Sequence, residues 1–212
     1  MDLPVIIFGA KGMGVAALEI FESHDIIVYG FLDDDESLHG TEINTVPVLG
    51  STEDDGYLKL IGKKCEAFVA VDDNELRKGI TDMLLERRKK MPINAHHAYA
   101  MISQSVHLGH GNFINSGSVL GASTKIGNHC IINSSATIDY EVELGDFVQI
   151  GAGAVINSRA KVESGAFIGS GATIVSGVTI GEGARVGAGS VVIQEVKPGE
   201  TVFGNPAQAI KA

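Results

Sequence analysis

The chain has 212 residues, 44% of them apolar and 6% aromatic, with 27 glycines, no tryptophan and a formal charge of −10 at pH 7. That length holds one large or two small domains with cores of their own, and the acidic balance excludes the clustered Lys/Arg footprint of a nucleic-acid binder. Cys65 and Cys130 lie far apart and without metal-ligand spacing, so neither a disulfide framework nor a zinc site is expected and a reducing cytoplasm fits.

In chain order, the run Val5–Phe8 reads as a buried strand. It is too short for a signal peptide or a membrane span and leads directly into glycines, so no targeting segment is expected. Gly9-Ala10-Lys11-Gly12-Met13-Gly14 follows, then a helical pattern carrying Val15, Leu18, Ile20 and Phe21. A second strand over 26–32 ends in Asp33-Asp34-Asp35, a third covers 67–71, and 74–90 reads as a helix with Leu76, Ile80, Met83 and Leu84 on one side. Alternation of short apolar runs with amphipathic stretches predicts an α/β, Rossmann-like domain over residues 1–98.

Glycines between a first strand and a first helix let the backbone approach a phosphate at the helix start, and acids ending the second strand suit ribose hydroxyls. Gly9, Gly12, Gly14, Asp33 and Asp34 are therefore candidate nucleotide contacts. The spacing is Gly-x-x-Gly-x-Gly, with Lys11 at the place of the central glycine of the dinucleotide fingerprint. A tight strand-to-helix turn and a solvated acidic turn are the plain alternatives.

From Ile102 an aliphatic residue recurs every sixth position through Leu108, Ile114, Leu120, Ile126, Ile132, Ile138, Leu144 and Ile150 to Val192. Four places after most anchors stands a small or β-branched residue, as in Ser118, Thr124, Cys130, Ala136, Val142 and Val148. A six-residue period is too short for a helical repeat and matches the hexapeptide parallel β-helix pattern, two residues inward per hexad; in the β-helices that this pattern resembles, three hexads make a triangular coil. The second domain is thus 99–212, a stack of aliphatic ladders ended by the tail after Val192. Gly151-Ala152-Gly153, Gly169-Ser170-Gly171 and Gly187-Ala188-Gly189 recur at eighteen residues and stack into a small-residue seam.

Taken together, the glycine turn, Gly30-Phe31-Leu32-Asp33-Asp34, Pro47-Val48-Leu49-Gly50, Asn74-Glu75-Leu76-Arg77, the hexads and Gly204-Asn205-Pro206-Ala207 resemble the NeuD/PglD family of sugar O- and N-acyltransferases. The resemblance implies a left-handed β-helix, a homotrimer with sites between subunits, acetyl-CoA as co-substrate, and a sugar or nucleotide-linked amino sugar as acceptor in surface-glycan synthesis. It places coenzyme A contacts near Gln149, Ser158, Ser170 and Ala188. The family's general-base histidine falls at Tyr140, followed by Glu141, and a second histidine near the thioester falls at Gln149. The family's Gly-Gly-His-Gly turn corresponds to Lys11-Gly12-Met13-Gly14, and an Ile-Gly pair to Val71-Asp72.

A phenol is a poor base at neutral pH beside an imidazole. An amine acceptor can shed its proton to solvent before it attacks, which makes an amino sugar the easier acceptor. Tyr140 and Glu141 are the catalytic candidates, Glu141 to take the proton and Tyr140 to place the acceptor. His107, His110 and His129 are read as solvent-facing, and His110 and His129 lie on the next face from Tyr140, remote within one chain though a neighbouring subunit could bring one close. The rival reading is a catalytically silent paralogue that keeps the trimer as a sugar-nucleotide-binding or scaffold protein.

Overall fold

The computed structural model describes residues 3–210, and the chain divides into two compact units, Met1–Ala98 and Tyr99–Ala212.

In the first unit β1 (Val5–Phe8) is buried at all four positions, as a strand covered on both faces must be. The chain then forms α1 (Met13–Glu22), β2 (Val28–Leu32), β3 (Glu42–Ile43), β4 (Val46–Gly50), α2 (Asp55–Leu58), β5 (Glu66–Val69) and α3 (Asn74–Arg88). The sheet runs β3-β4-β2-β1-β5, parallel except for the β3–β4 hairpin. α1 buries Met13, Ala17, Leu18, Ile20 and Phe21, and Phe21 meets the edge of Phe68 at 5.6 Å between ring centroids.

Two expectations need correction here. The second strand begins at Val28, because Ile26 N is held by Phe21 O at the helix end and Ile27 is 73% exposed. α3 stops at Arg88, since Lys89 turns left-handed (φ 57°) and closes the helix through its N–H to Leu85 O. Its buried face is Arg77, Thr81 and Leu84, whereas Leu76 is 63% exposed. Of the apolar stripe read from sequence, Leu84 is buried and Ile80 and Met83 pack against the core, while Arg77 was missed because it is buried by hydrogen bonding and not by hydrophobicity.

The second unit is a left-handed parallel β-helix, with sixteen two-residue strands from Met101–Ile102 to Val191–Val192 distributed over three sheets. Each hexad anchor is the second residue of its strand, and from Ile114 to Val192 every anchor is at most 4% exposed. Strands eighteen residues apart pair in register, as Leu120 with Ile138 and Ile138 with Ile156. The second inward position carries Cys130, Ala136, Val142, Val148 and Ala154, all fully buried.

Polar residues at inward positions are satisfied locally, as buried groups must be. Thr124 Oγ1 donates to Asp139 O at 3.0 Å, and Asn112, fully buried, accepts from Cys130 N at 2.8 Å and donates to Gly127 O at 3.0 Å. After Val192 the strand Thr201–Gly204 pairs with Arg185–Val186 and folds back on Ala207–Ala209, so the last coil edge is covered by a hairpin.

Left-handed backbone recurs at the three edges of the coil, again at eighteen-residue steps. Ser123, Glu141, Arg159 and Gly177 mark the first edge, Gly111, His129, Phe147 and Gly165 the second, and Ser135, Gly153, Gly171 and Gly189 the third.

Candidate functional site

In the first unit the chain passes from β1 to β2 on one side and later to β5 on the other, so β1 lies at a topological switch point where the following loops must part. A cavity of about 370 Å³ opens there. Gly9, Lys11 and Gly12 line it from the β1–α1 turn, Asp33 and Asp34 from the end of β2, Thr52 from beyond β4, Ala70, Val71 and Asp72 from the end of β5, and Leu76 and Ile80 from α3.

The turn after β1 is built by close packing. A Cβ on Gly9 would lie 2.5 Å from Ala70 O, and one on Gly14 would lie 2.1 Å from Gly9 O. Gly14 is thus a packing residue beneath the turn, outside the cavity lining, while Gly9 and Gly12 line the cavity. Gly14→Ala is expected to cost about 3 kcal/mol of stability, because a backbone oxygen has nowhere to retreat. Gly79→Ala, in mid-α3 with open space around its Cβ, is expected to stabilise by about 0.5–1 kcal/mol. Chemical denaturation of both variants checks the pair.

The acids after β2 hold the loops together. Asp33 accepts from Ala10 N at 2.8 Å and from Asp35 N at 2.9 Å, tying the glycine turn to β2. Asp34 accepts from Thr52 N at 2.8 Å and Thr52 Oγ1 at 3.0 Å. Both Asp33 oxygens and Asp34 Oδ2 keep a further lone pair for a ligand hydroxyl, whereas Asp34 Oδ1 is filled by the two bonds from Thr52. The His39 ring pairs through Nε2 with Asp33 O at 2.7 Å.

Lys11 reaches Asp35 at 2.5 Å. The Lys11 ammonium and the two bonds from Ser37 lower the Asp35 carboxyl to about 2, and the same contact raises Lys11, so both stay charged throughout the neutral range.

Behind the wall formed by Val71 and Asp72, Arg77, 1% exposed, donates to Val71 O at 2.6 Å and Asp72 O at 3.1 Å and pairs with the Asn74 side chain. It fixes the loop after β5 that faces the glycine turn. The Asn-x-x-Arg spacing was the sequence signal for it; nothing in the sequence pointed to Thr52.

The coil separates the other sequence-predicted residues onto two edges. Tyr140, Glu141 and Ser158 share the first edge, where Arg159 N donates to Tyr140 O at 3.1 Å and Glu141 N to Ala122 O at 2.9 Å. Tyr140 is 45% exposed, and Asp139 Oδ1 fixes its backbone N–H at 2.8 Å. Ser158 is 5% exposed and lies 3.3 Å from Ser176 Oγ.

Ser170 and Ala188 are exposed on the third edge and stack through Gly171 N to Ala152 O and Gly189 N to Ser170 O, both at 2.9 Å. Gln149 lies on the adjoining face, in register with Ile131 and Phe167. A Cβ on Gly153, Gly171 or Gly189 would meet nothing within 4 Å, so this edge is an open seam of small residues suited to an extended chain such as pantetheine. In one chain, then, Ser158 belongs with Tyr140 and not with Ser170 and Ala188.

The histidines differ from expectation in one case. His107 and His110 are exposed, but His129 is 3% exposed and its ring stacks on Phe147 at 4.9 Å. It sits on the second edge, away from Tyr140. Among the described residues no group of three or more His, Cys, Asp and Glu could hold a metal ion, and no helix is long and apolar enough to cross a membrane.

Three family models match the chain: the PglD N-terminal domain over 4–84, the hexapeptide repeat of succinyl-transferase over 123–158, and the six-repeat bacterial transferase hexapeptide over 159–194. A search of curated proteins matches none. Among solved structures, PerB from Caulobacter crescentus in complex with CoA and GDP-perosamine is 30% identical, with all of both chains covered and a TM-score of 0.89. The acetyltransferase domain of PglB from Neisseria gonorrhoeae in complex with acetyl coenzyme A is 28% identical over 99% of this chain and 100% of that one, with a TM-score of 0.88. WeeI from Acinetobacter baumannii is 27% identical over the same shares, with a TM-score of 0.86. With identity at that level over its full length and the same succession of a PglD N-terminal domain and hexapeptide coils, the chain belongs to the NeuD/PglD-type family of hexapeptide-repeat sugar acyltransferases.

Proposed function

We propose that this chain transfers the acetyl group of acetyl-CoA to the amino group of a nucleotide-linked sugar, as a step in making a surface glycan. The observation that carries the reading is the full-length likeness to PerB, solved with CoA and GDP-perosamine, a protein also described as a GDP-perosamine N-acetyltransferase. The cavity at the switch point of the first unit, where the glycine turn and paired acids face the apolar Val71, Leu76 and Ile80, has the mixed lining and the size for a nucleotide. Gly9, Gly12, Asp33 and Asp34 contact it, and Gly14 shapes the turn from beneath.

In the coil, the amine nitrogen attacks the thioester carbonyl, the amine proton is lost, the C–S bond breaks, and coenzyme A leaves as the thiolate, which takes up one proton from the protonated base or from water to become the thiol. Tyr140 places the acceptor, and Glu141, on the same edge, receives the proton directly or through water. Pantetheine lies along the third edge against Gln149, Ser170 and Ala188, with Ser158 contacting coenzyme A from the first edge.

Because these contacts lie on two edges of one coil, a site holding both takes one edge from each of two neighbouring subunits, and the working form is a homotrimer in the cytoplasm. The outward side of the sheet anchored by Ile126, Leu144 and Val162 carries Lys125, Glu143 and Lys161, with Lys125 and Glu143 paired at 2.7 Å, and remains in solvent. The sheet bearing Val119, Val155 and Val191 at the same outward positions turns toward a neighbour.

Titration calorimetry with acetyl-CoA, run beside sedimentation equilibrium, tests this reading. The expected result is one acetyl-CoA per chain on a trimer. A trimer without affinity for acetyl-CoA favours the scaffold reading, and a stable monomer overturns both.

A further inference from the structure

Lys11 is the one cation among the residues lining the cavity of the first unit, where it accompanies Asp33, Asp34 and Asp72. A diphosphate entering that space meets like charge from three carboxylates. The amides of the glycine turn offer it partial charges only.

The Lys11 ammonium is not spent on the acids of the cavity. It rests 2.5 Å from Asp35, which lies outside the lining, and its side chain is 64% exposed. Asp35 is itself fixed by Ser37, whose N–H and hydroxyl donate to Oδ1 at 3.0 and 2.5 Å, leaving Oδ2 for the lysine. The ammonium is therefore parked at the rim on a flexible four-carbon stem, within reach of whatever enters.

We propose that Lys11 is the residue by which this cavity selects a nucleoside diphosphate over a bare nucleoside. On binding, its ammonium leaves Asp35 for the phosphate oxygens. Asp35 is the positioning residue that parks the ammonium at the rim while the cavity is empty, and it competes for the ammonium with an entering phosphate. The proposal rests on the nucleotide-sugar reading above and adds to it the group that answers the phosphate charge. It also explains how a chain with Asp72 in the wall still accepts an anion.

Titration calorimetry of UDP, GDP, uridine and guanosine against the wild type, Lys11→Met and Asp35→Asn tests it. The wild type is expected to bind at least one diphosphate about tenfold more tightly than its nucleoside, the size of a charge-assisted hydrogen bond or two. Lys11→Met should lose about that factor for the diphosphate and leave the nucleoside unchanged. Asp35→Asn should bind the diphosphate about threefold more tightly, because the competing carboxylate is gone.

A Lys11→Met variant that binds the diphosphate as tightly as the wild type overturns the role of Lys11 and leaves the nucleotide reading standing. A wild type that binds neither nucleotides nor nucleosides overturns the nucleotide reading, and the proposal with it. Unchanged affinity in Asp35→Asn overturns the positioning role alone.

Discussion

Ile150→Asp is expected to abolish soluble folding of the coil. Ile150 is fully buried and lies in a ladder with Ile132 below and Ile168 above. The neighbouring inward positions are Val148 and Ala154, so a carboxylate there finds no cation and no spare donor. Burying it unpaired costs several kcal/mol, a large part of the stability of an ordinary domain. The coil cannot move the charge outward, because a shift by one residue would turn every anchor to the surface. Expression in the soluble fraction and the melting temperature check the prediction. A soluble variant melting with the wild type would mean the hexad register is wrong.

Tyr140→His is expected to raise acetyl transfer to an amine acceptor by about 10²-fold, the lower end of what a positioned general base contributes. Attack by a neutral amine leaves a protonated nitrogen on the tetrahedral intermediate, and an imidazole titrating near neutrality takes that proton more readily than a phenol. The coil should tolerate the change, since Tyr140 is half exposed and its backbone is held by Asp139 and Arg159 independently of the side chain. Tyr140→Phe should slow turnover by severalfold with acetyl-CoA affinity intact, because only the hydroxyl that places the acceptor is lost. Steady-state release of coenzyme A thiol reads both variants. A histidine variant slower than the wild type would show that the phenol has a chemical role an imidazole cannot replace.

The coil was legible because its geometry is local and periodic. Every anchor from Leu120 to Ile174 stacks between the residues eighteen before and after it, so the pattern carries the register. The same period contains the His129–Phe147 stack, since 129 and 147 occupy equivalent edge positions in successive coils. Reading each histidine singly, as a solvent-facing side chain, hid it.

The first unit was less legible. β1, α1 and β5 announce themselves by apolar runs, but β3 has two residues, neither fully buried, and leaves almost no pattern. In α3 Ile80, Met83 and Leu84 pack on the core as read, but Arg77 goes inside to hold carbonyls while Leu76 is exposed and lines the cavity. Asp33 and Asp34 were legible as acids at the end of a strand, but not as acceptors for Ala10 and Thr52, which come from other loops. The division of Ser158 from Ser170 and Ala188 between two edges likewise needed the coil to be traced in space.

The central claim is tested most directly by following coenzyme A thiol release from acetyl-CoA while UDP-, GDP- and dTDP-linked amino sugars are offered in turn to the purified protein. The account predicts thiol release that depends on one of these acceptors, matched by one equivalent of N-acetylated nucleotide sugar in the mass spectrum. Acetyl-CoA binding without acceptor-dependent thiol release across the whole panel would contradict it and leave a trimeric binding protein in its place.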